Sequence, residues 1–307
     1  TISTHIFILD WPNFNPYLVW LILIFDINHN GSAHSILRNL KEIMRSNHDI
    51  DYTIFGEEMQ YVEVELDPNE TAVAEPGAFM MMDDGIQMQT LFGDGSAQQS
   101  GILGKLFSAG KRLLTGENLF MTAFTNIGHG KKQVSFASPY PGKIIPLDLF
   151  HLGGKIICQK DAFLCAAKGV SIGIEFQRKL GTGLFGGEGF IMQKLEGDGM
   201  AFMHAGGHVQ EKILQAGEVL KIDTGCIVGF TAGVDYDIQF VGGIKNTIFG
   251  GEGLFFASLR GPGKVWIQSL PVSRLAGRIL AYGTYNRKEE GSILGGIGNM
   301  LDGDGWR

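Results

Sequence analysis

From about Gln60 onward the chain is a succession of short apolar runs separated by glycine-containing turns, with no long helical stripe among them. Short runs bounded by Gly, Pro, Asn and Asp are the signature of strands joined by tight turns. The pattern repeats. Thr115-Gly116-Glu117-Asn118-Leu119-Phe120-Met121 returns as Gly186-Gly187-Glu188-Gly189-Phe190-Ile191-Met192 and again as Gly250-Gly251-Glu252-Gly253-Leu254-Phe255-Phe256, with the glutamates 71 and 64 positions apart. Each copy continues into an apolar strand, a turn (Gly128-His129-Gly130, Gly197-Asp198-Gly199, Gly261-Pro262-Gly263) and a second strand. Self-similarity at such a period marks a repeated structural unit. The expected fold class is therefore all-β, built from three Gly-rich strand repeats at about 60–136, 143–206 and 207–270 within a domain spanning 51–279.

The flanks read differently. Tyr17 to Phe25 is a nine-residue apolar run that suits either a buried strand or a short helix. It is too short for a spanning helix, which needs about 20 residues. Ile36, Leu37, Leu40, Ile43 and Met44 form a helical stripe, so residues 1–50 are expected to be a small α-containing appendage. Residues 280–307 are expected to be a Gly-rich tail. Repeat one carries an insertion from Gly93 to Gly116, in which Leu103, Lys105, Leu106, Phe107, Lys111 and Arg112 make a basic amphipathic segment. Such a segment suits a flap over one end of the core, or a contact to a membrane surface or protein partner.

Composition narrows the classes of function. Glycine accounts for 45 of 307 residues without a collagen period, which fits many turns and bulges. A net charge of −7 disfavours nucleic acid as a partner, because phosphate affinity comes from clustered Lys and Arg. Cys158, Cys165 and Cys226 show no paired or zinc-like spacing and sit in apolar runs, which predicts small buried hydrophobes. With no basic, small-residue-terminated leader pattern, a cytoplasmic location is the expectation.

Candidate chemistry is sparse. Asp26, Asn28 and Asn30, followed by Gly31, imitate the alternate oxygen ligands of a calcium loop, but its twelfth position is Leu37 and not Glu. The equivalent Glu117, Glu188 and Glu252 either accept backbone N–H bonds where a strand begins, or converge on a pseudo-threefold axis and hold a cation there. The eight histidines contain no His-x-His pair of the cupin metal enzymes, and His204 and His208 are expected to flank an exposed turn. Neither a G-x-S-x-G elbow nor a P-loop is present. No catalytic residue and no cofactor is expected, and the reading is non-enzymatic.

The strings FGGEGF and FGGEGL, the run Ile157–Phe176, the run Val234–Pro271 and LTGENLF after the insertion resemble the family named for altered inheritance of mitochondria, formerly a bacterial domain of unknown function. The resemblance covers about Asp51 to Ile279. It implies a short double-stranded β-helix of the kind found in the tryptophan RNA-binding attenuator protein, and a mitochondrial relative in fungi associated with inner-membrane organisation. It supplies no catalytic residues. The expected function is an assembly or scaffold protein acting at a membrane surface; the alternative is a module that binds a small molecule or cation between repeats. Oligomeric state is open.

Overall fold

A computed structural model describes residues 50–92, 120–178, 190–241, 254–280 and 282 of the chain. These residues are mostly strand, all paired antiparallel within sheets, with a short helical segment at 272–280. Local sequence explains the strand type. In β2 (Tyr61–Leu66), Val62, Val64 and Leu66 are buried and alternate with Tyr61, Glu63 and Glu65, the period of two that a one-sided strand requires. β13 (Met200–Gly206) is buried at every position because it is flanked on both edges and covered on both faces.

After β1 (Asp51–Phe55), one pairing scheme occurs three times. The first set is β2, β3 (Thr71–Ala74), β4 (Phe79–Met82), β5 (Ile86–Phe92), β6 (Phe120–Asn126) and β7 (Lys132–Ala137). The second is β8 (Gly142–Asp148), β9 (Lys155–Gln159), β10 (Phe163–Ala167), β11 (Ser171–Arg178), β12 (Phe190–Glu196) and β13. The third is β14 (Val209–Leu214), β15 (Val219–Asp223), β16 (Ile227–Thr231), β17 (Asp235–Val241), β18 (Leu254–Arg260) and β19 (Gly263–Gln268). In every set the sixth strand lies between the first and third, and the fifth lies between the second and fourth. Each repeat therefore contributes three strands to one sheet and three to the next.

Successive repeats are joined by strand pairing. β3 pairs with β10, placing Ala74 opposite Cys165, and β9 pairs with β16, placing Cys158 opposite Gly229. Two six-stranded sheets result, β5-β6-β3-β10-β13-β8 and β11-β12-β9-β16-β19-β14, each assembled from halves of two repeats. The two remaining half-sheets are β1-β2-β7-β4 and β15-β18-β17.

Three apolar cores lie between these four layers. Val62, Val64, Val134 and Phe136 of the first half-sheet pack with Phe124, Cys165 and Phe202. Val73, Phe163, Ala166 and Met203 pack across to Ile156, Cys158, Ile172 and Trp266. Phe190, Met192 and Phe230 meet Ile222, Ala257 and Leu259 of the last half-sheet. Face-to-face sheets with interdigitated side chains are the ordinary solution for strands with one or two apolar faces.

The turns follow their residue chemistry. Gly130 and Gly197, in the turns between the fifth and sixth strands, and Gly263, which opens β19, adopt φ of 82°, 150° and 151°, a region that side chains with a Cβ avoid. At Gly142 and Gly206 the constraint is proximity instead: an added Cβ would lie 1.8 Å from the Ala205 carbonyl oxygen and 1.9 Å from that of Leu270.

Candidate functional site

The third strand of each repeat carries the same irregularity. A bulge separates Phe79 from Met81 in β4, Phe163 from Cys165 in β10 and Ile227 from Gly229 in β16. Phe79, Phe163 and Ile227 are thus equivalent, as are Met82, Ala166 and Phe230. β10 and β16 are covered by the preceding repeat, whereas β4 ends its sheet. Phe79, Met80, Met81 and Met82 are 40%, 47%, 44% and 38% exposed. Tyr52, Phe55, Met59 and Met88 are exposed as well. Four consecutive exposed apolar residues on an open strand edge are what monomeric β proteins ordinarily avoid. At the other end β15 is also an edge strand, with Val219 and Lys221 exposed.

A second feature lies at the joint between repeats one and two. Glu75 follows β3 in a Glu-Pro-Gly turn, and its N–H donates to the Leu164 carbonyl of β10 at 3.2 Å. Burial, then the nearby Asp161 carboxylate, push its pKa up from 4.5 to about 8, with Lys160 opposing. Tyr140 is raised by burial and by the Asp161 and Glu75 charges. Its ring meets His204 edge-on, with centroids 4.3 Å apart. His204 is 1% exposed, and neither ring nitrogen makes a well-formed hydrogen bond among the described residues, the Tyr140 backbone only approaching it. Burial lowers its pKa to about 4, although the Tyr140 backbone draws it back up in part. His204 is therefore a core residue of β13 and not an exposed turn histidine; the turn follows it, between Gly206 and Val209.

All three cysteines are free; Cys158 and Cys165 are buried as the apolar runs predicted, whereas Cys226 is half-buried with the Arg274 guanidinium 3.8 Å from its sulfur. Burial pushes the Cys158 thiol up to about 12 and Cys165 well above its usual range, with Glu75 adding to both. Such thiols stay protonated and are poor nucleophiles. At neutral pH the joint therefore holds a neutral imidazole and a largely protonated carboxyl.

The sequence-derived candidates Asp26, Asn28, Asn30, Leu103, Lys105, Leu106, Phe107, Lys111, Arg112, Glu117, Glu188 and Glu252 all lie outside the described residues. Among the described residues no cluster of three or more His, Cys, Asp or Glu side chains is placed to hold a metal. Nor is any described helix long and apolar enough to cross a membrane. The polar joint was not legible beforehand, because Glu75-Pro76-Gly77 reads as an exposed turn and its partners Asp161 and Tyr140 are distant in sequence.

The fold and these features define an all-β protein of repeated, sheet-sharing units. Its residues 52–270 match the family model described as mitochondrial biogenesis AIM24, and the chain belongs to that family. It is 30% identical over 255 residues to an uncharacterised protein of Streptococcus pyogenes serotype M6, covering 81% of this chain and 97% of that one. A crystal structure of a Streptococcus pyogenes protein matches with a TM-score of 0.59 at 24% identity, covering 76% of this chain and 99% of the other, which shows the fold.

Proposed function

We propose that this chain is a non-enzymatic assembly protein whose working surface is the apolar end formed by repeat one. The observation that carries this reading is β4, where Phe79 to Met82 are all exposed on an open edge. In sequence the basic amphipathic insertion belongs to the same repeat, between β5 and β6, and offers a second contact to a membrane surface or protein partner.

Native mass spectrometry of the full chain, paired with flotation on vesicles containing anionic lipid, tests the reading. The expected result is a mass at a multiple of the chain, co-flotation, or both. A monomer at all concentrations that does not float overturns it.

A second reading is favoured by the joint at Glu75, Tyr140 and His204. Neutral hydrogen-bonding groups at the meeting of two repeats suit a small polar ligand. A stoichiometric excess mass on the protein, lost in Glu75→Gln, would support that module instead.

A further inference from the structure

The two incomplete sheets are complementary halves. Both complete sheets have the same order: fourth, fifth and second strands of one repeat, then third, sixth and first strands of the next. β15-β18-β17 supplies the first half of that order and ends in a second strand. β4-β7-β2, extended by β1, supplies the other half and begins with a third strand. Among the described residues nothing pairs with the outer edge of either β4 or β15.

Resting on the assembly reading above, we propose that β15 of one copy of this chain pairs antiparallel with β4 of the next, forming a head-to-tail joint equivalent to the two inside the chain. Both internal joints fix the register. In each, the residue after the bulge (Cys165 or Gly229) faces the equivalent second-strand residue of the preceding repeat (Ala74 or Cys158). Ala74 stands five residues before Phe79, and Cys158 five before Phe163. The residue five before Ile227 is Ile222. Met81, Met82 and Asp83 of one copy therefore face Ile222, Lys221 and Leu220 of another. The joint gives β4 the second-strand neighbour that β10 has in β3 and β16 has in β9, and it completes the sheet β17-β18-β15-β4-β7-β2-β1. A heterologous joint of this kind closes into a ring or propagates as a filament, depending on the rotation between copies.

Cysteine trapping reads out partner and register together. Directly opposed antiparallel residues have Cα atoms about 4.5–5.5 Å apart, within disulfide reach. Full-length Met82→Cys and Lys221→Cys are prepared separately, mixed and oxidised with diamide. The expected product is a disulfide dimer containing one chain of each variant, at least tenfold more abundant than the product from either variant alone. Absence of the mixed product, or trapping only within a single chain carrying both substitutions, overturns the proposal.

Met82→Lys should place like charge against Lys221 and reduce the wild-type multimer at least tenfold at a fixed micromolar concentration. Adding Lys221→Glu should restore it. An unchanged multimer in Met82→Lys refutes this joint while leaving the assembly reading intact, whereas a wild-type chain that is monomeric and does not float refutes both.

Discussion

β4 and β10 occupy the same place in successive repeats, share a bulge at the same position and each lie against the sixth strand of their own repeat, yet β4 is exposed at all four positions and β10 is buried at all five. Their residues differ in the sense opposite to simple solvent matching. The exposed strand is Phe-Met-Met-Met, while the buried one is Phe-Leu-Cys-Ala-Ala. Small residues in β10 admit β3 and the flanking sheets closely; large flexible ones in β4 suit a surface that adapts to what covers it. A buried environment, then, is a property of the joint and not of the strand.

Placing a charge at the equivalent positions Ala166 and Met82 should give the largest contrast. Ala166→Lys forces a long, charged side chain into a site of 0% exposure, and should cost more than about 4 kcal/mol or prevent folding. Met82→Lys, measured at concentrations low enough to keep the chain monomeric, should change stability by no more than about 1 kcal/mol. Urea unfolding of both variants checks this, and similar losses at the two positions would mean that β4 is covered within a single chain.

Truncation of the equivalent phenylalanines gives a smaller contrast. Phe163 is 2% exposed within the middle core, so Phe163→Ala should cost about 3–5 kcal/mol. Phe79 is 40% exposed and keeps one stacked contact, with Phe124 at 5.4 Å, so Phe79→Ala should cost about 1 kcal/mol. Matching shifts in the urea midpoints would break the comparison.

The all-β class was readable because it is written locally: glycine turns such as Gly128-His129-Gly130 and Gly197-Asp198-Gly199 sit between short apolar runs, and the structure joins β6 to β7 and β12 to β13 there. Family membership was readable from long motifs such as Ile157–Phe176. Sheet sharing between repeats was not, because Ala74 meets Cys165 and Cys158 meets Gly229 across long separations that leave no local periodicity. The open edges follow from those joints, so they too were hidden. His204 illustrates the same limit: its neighbourhood of glycines suggested an exposed turn, while burial came from β8, β10 and Tyr140, which no window around His204 contains.

The smallest expected effects distinguish the first joint from the open edge by pH, since titrating groups with shifted values sit at the joint. Glu75 is raised from 4.5 to about 8, so the folded chain holds a proton that the unfolded chain releases. Its contribution is fully present below about 4.5 and is lost as pH rises toward 8. His204 is lowered from 6.5 to about 4, so the unfolded chain takes up a proton first and stability falls as pH drops from 6.5 toward 4. Between 4.5 and 6.5 the two slopes oppose each other, and above 6.5 only Glu75 acts. A single proton changes stability by about 1.4 kcal/mol per pH unit at most, and Glu75 is only half-buried, so the loss from pH 6.5 to 8 should be about 1–2 kcal/mol. Melting temperature followed across that interval should fall for the wild-type chain and stay nearly level for Glu75→Gln. His204→Phe should leave that alkaline fall in place and flatten the acid side below pH 6.5. An alkaline fall that survives Glu75→Gln would remove Glu75 as the titrating group of the joint.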